Sequence, residues 1–359
     1  CIDWEENFVK KAVILAEGFF GTNDGKTAHG LLRYSAQYKI VGVIDSEFKG
    51  MDSGLIIDGR PNGVMVYESL EEALKAHPDA EVLIIGVATE GGYLPKGYKE
   101  IIRKALERGV SVVSGLHEFL SDDPELVRIA RNNNAEIIDV RKIFRDMKIP
   151  FRGVIKEVKA LKVVVLGTDS VVGKRTTAIM INNELLRRGV KSVFIGTGQT
   201  SWMQGFKYTV VIDALINDFV AGAIEDVIWR AYKNEKPDVI VISGQGSILH
   251  PAFPGSFEIL AAAKPEFIVL QHAPKRKFFD GFPGFEIPSI DRYIRAINIL
   301  TERDVEAITI NHENMEKEEV DYIKKEYEQK YNVVVCDPLW DGVGRIVDTI
   351  LEKYLSVTQ

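Results

Sequence analysis

Along the first 150 residues, short aliphatic and β-branched runs alternate with stretches whose apolar residues recur at helical spacing. Runs at 11–16, 38–44, 81–87, 110–113 and 136–140 are almost continuously apolar, the pattern of strands buried on both faces. Between them 69–76, 97–108 and 124–132 carry the helical period, and Asp123 before Pro124 predicts a cap followed by proline at the first helical position. Residues 141–160 are basic, contain Pro150 and Gly153 and keep no period, which predicts a connector. A second series then begins, with strands predicted at 161–166, 191–195, 238–242, 266–270, 307–310 and 332–336. Strands that alternate with helices form parallel sheets covered on both faces, so two α/β domains are expected, 1–150 and 151–359.

Composition narrows the class. A chain of 359 residues, 46% hydrophobic and 27% charged, has the profile of a soluble globular enzyme of two domains. No apolar run approaches the roughly 18 residues that span a bilayer. Lys and Arg total 45 against 52 Asp and Glu, a net charge of −7, so the chain has no electrostatic reason to seek nucleic acid or a membrane surface. Cys1 and Cys336 form no metal or disulfide spacing, and no metal is expected. The first residues are acidic where a signal peptide is basic, so a cytoplasmic location is expected.

The first half reads as a Rossmann-like sheet, whose ligands bind beyond the carboxyl ends of the strands. Its first strand runs into a glycine-bearing loop over 16–27 that enters a helix without matching GxGxxG. Two readings stay open: a flexible turn, or an anion site with Lys26 and Arg33 as ligands.

The most specific motif follows strand 161–166. Gly-Thr-Asp-Ser-Val-Val-Gly-Lys-Arg-Thr-Thr over 167–177 opens a helix that is expected to run through Leu186. Glycines and a helix N-terminus aim backbone N–H groups at one point and Lys174 adds a full charge, which suits a phosphate or pyrophosphate. Gly167, Thr168, Asp169, Ser170, Gly173, Lys174, Arg175, Thr176 and Thr177 are the expected ligand-binding set. Gly167 and Gly173 have five residues between them rather than the four of GxxxxGK[ST], and Arg175 occupies the position of the magnesium-binding hydroxyl. The longer spacing is similar to that of dethiobiotin synthetase, which implies a doubly wound P-loop sheet.

Other strand ends supply further candidates. The loop 195–202 offers Gly198 and Gln199, and the strand 238–242 ends in Ser243 and Gln245 where a P-loop ATPase usually has an acidic residue. His250 and His272 follow strand ends and are the acid–base candidates, with Asp213 a further base. Asp218 and Glu225 flank Gly222 at intervals of four and three, a carboxylate pair on one helix face or a solvated surface. Arg276 lies in a basic triplet that either clamps an anion or is simply exposed.

The wording of 15–18 with 26–34, of 167–177, 196–200, 213–225 and 243–253 resembles one bacterial and archaeal family of domain-of-unknown-function proteins. Its members pair a Rossmann-like N-terminal with a P-loop C-terminal domain and include D-glutamate N-acetyltransferases of the DgcN type. The resemblance spans nearly the whole chain. It implies acetyl transfer from acetyl-CoA to the amine of an acidic amino acid, with Lys174 and Arg175 gripping the coenzyme phosphates without a metal. Gly198, Gln199 or Gly246 would face the oxyanion, and His250, His272 or Asp213 would take the proton. Lys26, Arg33 and Arg276 would hold the substrate carboxylates, with the crevice between the domains as the expected place. A homo-oligomer is expected on general grounds. Two alternatives remain open: an ATP- and Mg²⁺-dependent ligase or kinase-like enzyme resembling dethiobiotin synthetase, and a nucleotide sensor without turnover.

Overall fold

The computed structural model describes residues 9–358; Cys1 lies outside the described residues. Two compact units are present, one made of the chain up to Asp146 together with Gln199–Lys207, the other of Met147–Gly198 and Tyr208 onward.

The first unit holds strands β1 (Lys10–Leu15), β2 (Tyr38–Ile44), β3 (Met65–Tyr67), β4 (Val82–Ile85), β5 (Ser111–Ser114) and β6 (Ile137–Asp139). They form one parallel sheet in the order β3-β2-β1-β4-β5-β6, the arrangement of dinucleotide-binding sheets, with its switch point between β1 and β4. Ala12 to Leu15 and Leu83 to Ile85 have no exposed surface, as strands covered on both faces must. Asp123 caps helix Pro124–Asn132 by accepting from the N–H groups of Glu125 at 2.9 Å and Leu126 at 3.3 Å.

Three elements of this unit escaped the periodicity. β3 is three residues long, too short for a pattern to repeat. Helix Ser53–Asp58 is a six-residue turn held by its cap Asp52, which accepts from Gly54 and Leu55. Helix Val140–Arg145 occupies the start of the expected connector: it buries Val140 and Phe144, one turn apart, among basic residues that mask the spacing.

Gln199–Lys207 packs within the first unit. Gln204 Nε2 donates to the carbonyls of Gly30 (2.8 Å) and Tyr34 (3.1 Å), Ala36 N–H donates to Gln204 O (2.9 Å), and Phe206 stacks on Tyr34 with ring centroids 4.9 Å apart.

The second unit holds β7 (Leu161–Gly167), β8 (Ser192–Ile195), β9 (Val239–Ser243), β10 (Phe267–His272), β11 (Ala307–Ile310) and β12 (Val334–Cys336). All are parallel, in the order β12-β11-β10-β7-β9-β8, so β7 is central and the chain switches direction beside it. Helix Asn217–Glu235 shows what Gly222 is for: a Cβ there would stand 2.0 Å from Ile149 O, so the connector crosses the helix at this point. Of the two readings left open for Asp218 and Glu225, a carboxylate pair or a solvated face, the pair does not form. Glu225 is fully buried and accepts from the N–H groups of Arg152 (2.7 Å) and Ile155 (3.1 Å), whereas Asp218 is exposed. Glu225 thus satisfies connector amides that burial would otherwise leave unpaired. Among the described residues no helix is long and apolar enough to cross a membrane.

Candidate active site

The rim of the second sheet assembles around the loop after β7. Gly173 has φ +105°, a left-handed conformation open to glycine, and turns the chain into helix Lys174–Arg187, whose N-terminus no side chain caps. The first N–H groups of a helix have no partner within it, so this end presents donors and the positive end of the helix dipole. Lys174 is 7% exposed, and its Nζ donates to the Asp169 carbonyl at 2.5 Å. Its stem fits because two neighbours lack side chains: a Cβ at Gly167 would meet Lys174 Cδ at 2.8 Å, and one at Gly244 at 3.3 Å. Arg175 and Thr176 are half-buried.

Asp169, expected among the ligand-binding residues, instead organises the loop. Its carboxylate has no exposed surface; Oδ1 accepts from Ser170 N–H (2.6 Å), and Oδ2 from Arg276 Nη1 and Asp280 N–H (both 2.9 Å). Burial alone would raise its pKa, but His250, Arg276 and the Asp280 amide outweigh burial and hold it below the ordinary value. Arg276, expected as a substrate cation, also donates to Ser170 O at 2.8 Å and to Glu313 through both Nε and Nη2. Its charge is spent on fastening the loop.

The two histidines expected as bases are held otherwise. His250 Nδ1 accepts from the N–H groups of Ala252 and Phe253, both at 3.0 Å, so the ring proton sits on Nε2. That nitrogen is buried 3.4 Å from Asp169 Oδ1, an electrostatic contact without an aligned hydrogen bond. A ring so locked has no lone pair to offer, and His250 is a pin rather than a base. His272 Nδ1 lies 3.0 Å from Thr168 Oγ1, and burial lowers its pKa to about 4, leaving it neutral and weakly basic. Thr168 is held further by Tyr293, whose hydroxyl donates to its carbonyl at 2.6 Å. The Thr177 hydroxyl donates to Gln271 Oε1 at 2.6 Å.

Further along the rim, Thr197 Oγ1 donates to Ser243 O at 2.8 Å, bringing the ends of β8 and β9 together, and a Cβ at Gly198 would stand 3.5 Å from Gln245 Oε1. Asp213 is exposed on the turn Ile212–Ala214.

The remaining expected residues belong to the first unit. Gln199 is buried there, its Nε2 donating to Thr27 Oγ1 (2.8 Å) and Thr200 Oγ1 (3.0 Å). Arg33 pairs with Asp58 through Nε (3.1 Å) and Nη2 (2.6 Å), so it is not the unattached cation the sequence suggested. Lys26 is half-buried at the first position of helix Lys26–Arg33.

One constellation was missed. His312, just past β11, has its Nδ1 2.6 Å from Oδ2 of Asp337, just past β12. The rule that selected His250 and His272, a polar residue at a strand's carboxyl end, selects both members of this pair. Among the described residues, no group of three or more His, Cys, Asp or Glu side chains is arranged to hold a metal ion.

Comparisons with known proteins bear on the family and the fold. Residues 149–347 match the model of the P-loop domain of unknown function DUF1611_C, and residues 46–143 that of the Rossmann-like domain of unknown function DUF1611_N. A protein of Tritonibacter scottomollicae named D-glutamate N-acetyltransferase is 33% identical over 291 residues, covering 79% of this chain and 84% of its own. A second of that name, from a Pseudoalteromonas species, is 33% identical over 278 residues, 75% of this chain and 80% of its own. A crystal structure of a DUF1611 family protein from Anabaena variabilis superimposes with a TM-score of 0.87 at 29% identity, covering 96% of this chain and 99% of that one.

Proposed function

Because this chain belongs to the DUF1611 family, we propose that it is an N-acetyltransferase that moves the acetyl group of acetyl-CoA onto the amine of an acidic amino acid, D-glutamate foremost. The names of the two relatives support the transfer and the amino acid. The observation that carries the coenzyme is the loop 167–175. An uncapped helix N-terminus stands beside a buried ammonium, and a guanidinium follows where a metal-binding hydroxyl is usual. A 3′-phosphoadenosine pyrophosphate is fully charged without a metal, so N–H groups and two cations suit it. A magnesium nucleotide asks for a hydroxyl after the lysine and an acidic residue near the tip of β9. Here Arg175, Ser243 and Gln245 stand at those places, and the Thr177 hydroxyl donates to Gln271.

In this reading Lys174, Arg175 and the helix N-terminus hold and orient the coenzyme, which places its thioester for attack by the amine. Asp169 and Arg276 keep the loop in shape. The test is calorimetry with acetyl-CoA and with ATP–Mg²⁺ side by side, followed by free-thiol release across D- and L-amino acids. Acetyl-CoA binding with release dependent on D-glutamate is expected. Binding of ATP–Mg²⁺ alone would favour the ligase, and tight binding without any product the sensor; either would overturn the proposal.

A further inference from the structure

We propose that His312 is the general base of the second unit's site and that Asp337 is its positioning residue. The assignment rests on the acetyl-transfer reading above and deepens it by naming the group that takes the proton.

The argument begins with Asp337, whose side chain is 1% exposed. Its Oδ1 accepts from the N–H groups of Leu339 (2.9 Å) and Trp340 (3.1 Å), so the turn that follows β12 holds the carboxylate in one orientation. Oδ2 is left to receive the His312 Nδ1 proton at 2.6 Å. A proton on Nδ1 puts the lone pair on Nε2, the tautomer a base needs, and the fixed carboxylate stabilises the imidazolium that forms. This is the reverse of His250, whose Nδ1 is an acceptor. It differs equally from His272, which burial holds neutral down to about pH 4. The His312 side chain is 27% exposed, and Trp340 stacks on one ring face at 3.9 Å between centroids and 9° between planes, so the ring is steadied yet reachable.

Location supplies the second argument. His312 is the middle of three consecutive residues that leave β11, and both neighbours are attached to the coenzyme loop. Asn311 Nδ2 donates to the carbonyl of Val172 at 3.0 Å. Glu313 receives Arg276, which in turn holds Asp169 and Ser170. The dyad is therefore set on the same hydrogen-bonded frame as the phosphate-binding loop, at the carboxyl edge where a parallel sheet binds its ligand.

In the proposed step Nε2 takes one proton from the substrate ammonium, and the freed lone pair attacks the thioester carbonyl carbon. The N–C bond forms and the C–S bond breaks. The leaving thiolate takes the second proton shed by nitrogen, so the products are the amide and the coenzyme thiol, and the proton on His312 passes to water.

The test compares the wild type with His312→Gln and Asp337→Asn in the full chain. Glutamine can still donate to Asp337 and lie against Trp340, but it cannot take up a proton. The expected result for His312→Gln is a fall in kcat of about 10²- to 10³-fold with the dissociation constant of acetyl-CoA unchanged. Asp337→Asn should lower kcat in the same direction. It should also abolish the low-field imidazole N–H resonance that ¹⁵N NMR of the wild type should assign to Nδ1 of His312. An unchanged kcat in His312→Gln, or a wild-type ring protonated at Nε2, overturns the assignment and leaves the acetyl-transfer reading standing. A wild type that releases no thiol with any amino acid sinks that reading first and this one with it.

Discussion

The two sheets are alike in construction and unlike at their carboxyl rims. Each is parallel and six-stranded, with its direction switching beside the first strand of its unit. In the first unit the polar groups around the switch close short local circuits. Glu17 accepts from the Ser46 amide (2.7 Å) and hydroxyl (2.6 Å), buried Asp45 from Phe20 N–H (3.1 Å), and Arg33 is spent on Asp58. In the second unit such circuits are a scaffold: Arg276 joins Asp169 to Glu313, and the Asp169 carbonyl receives Lys174. Strand order provides a crevice, and what the polar groups at its rim are bound to decides what the crevice can do.

Four experiments would break or sharpen this contrast. The largest effect is expected from Asp169→Ala, which leaves Arg276 with one carboxylate fewer in a buried place and His250 facing a hole. A loss of about 3 kcal/mol is expected, read as a shift of the denaturation midpoint. A midpoint that did not move would remove Asp169 as the brace.

A comparable effect is expected from pH through His272. The unfolded ring takes a proton near pH 6.5, whereas the folded ring resists until about pH 4. Stability is therefore complete above pH 6.5 and declines on acidification through that window, by at most about 3 kcal/mol. His272→Gln should flatten the pH–stability curve between these values, and a wild-type curve already flat there would contradict the burial.

Next comes Lys174→Ala, with affinity for acetyl-CoA falling by about 100-fold by calorimetry, the worth of one strong charge-assisted contact. Unchanged affinity would take the loop out of the mechanism. The smallest effect belongs to Arg33→Ala. Its pair with Asp58 is about one-third exposed, so less than about 1 kcal/mol of stability is expected, with KM for the amino acid unaltered. A steep rise in KM would mean that the first unit's cation is not spent, and the contrast would fail.

Much of the fold was legible because buried parallel strands write themselves as unbroken apolar runs, and every strand but β3 falls on one. The glycine-rich loop after β7 was legible for a similar reason, since Gly167, Gly173 and Lys174 sit in a local spacing. Pairings across the chain were not. Asp169 and Arg276 stand far apart in sequence, so nothing nearby marks them as partners, and each taken alone resembles a ligand. His250 looked like a base because residue type does not reveal which ring nitrogen the Ala252 and Phe253 amides will claim. The opposite error hid His312, whose partner Asp337 lies one strand further on, just past β12. Glu225 was misjudged because a helix face says which side chains lie together and not what crosses over them.

The path of the chain through Gln199–Lys207 has a practical corollary. The stretch is flanked by stems that pair with each other, Gly196 donating to Tyr208 O and Val210 to Gly196 O, so it is a tongue lent by the later half of the polypeptide to the earlier one. Anyone who clones the N-terminal half as a separate fragment, stopping at Asp146, will leave the carbonyls of Gly30 and Tyr34 without the Gln204 amide. The fragment should then be poorly soluble until a synthetic peptide carrying that stretch is added back.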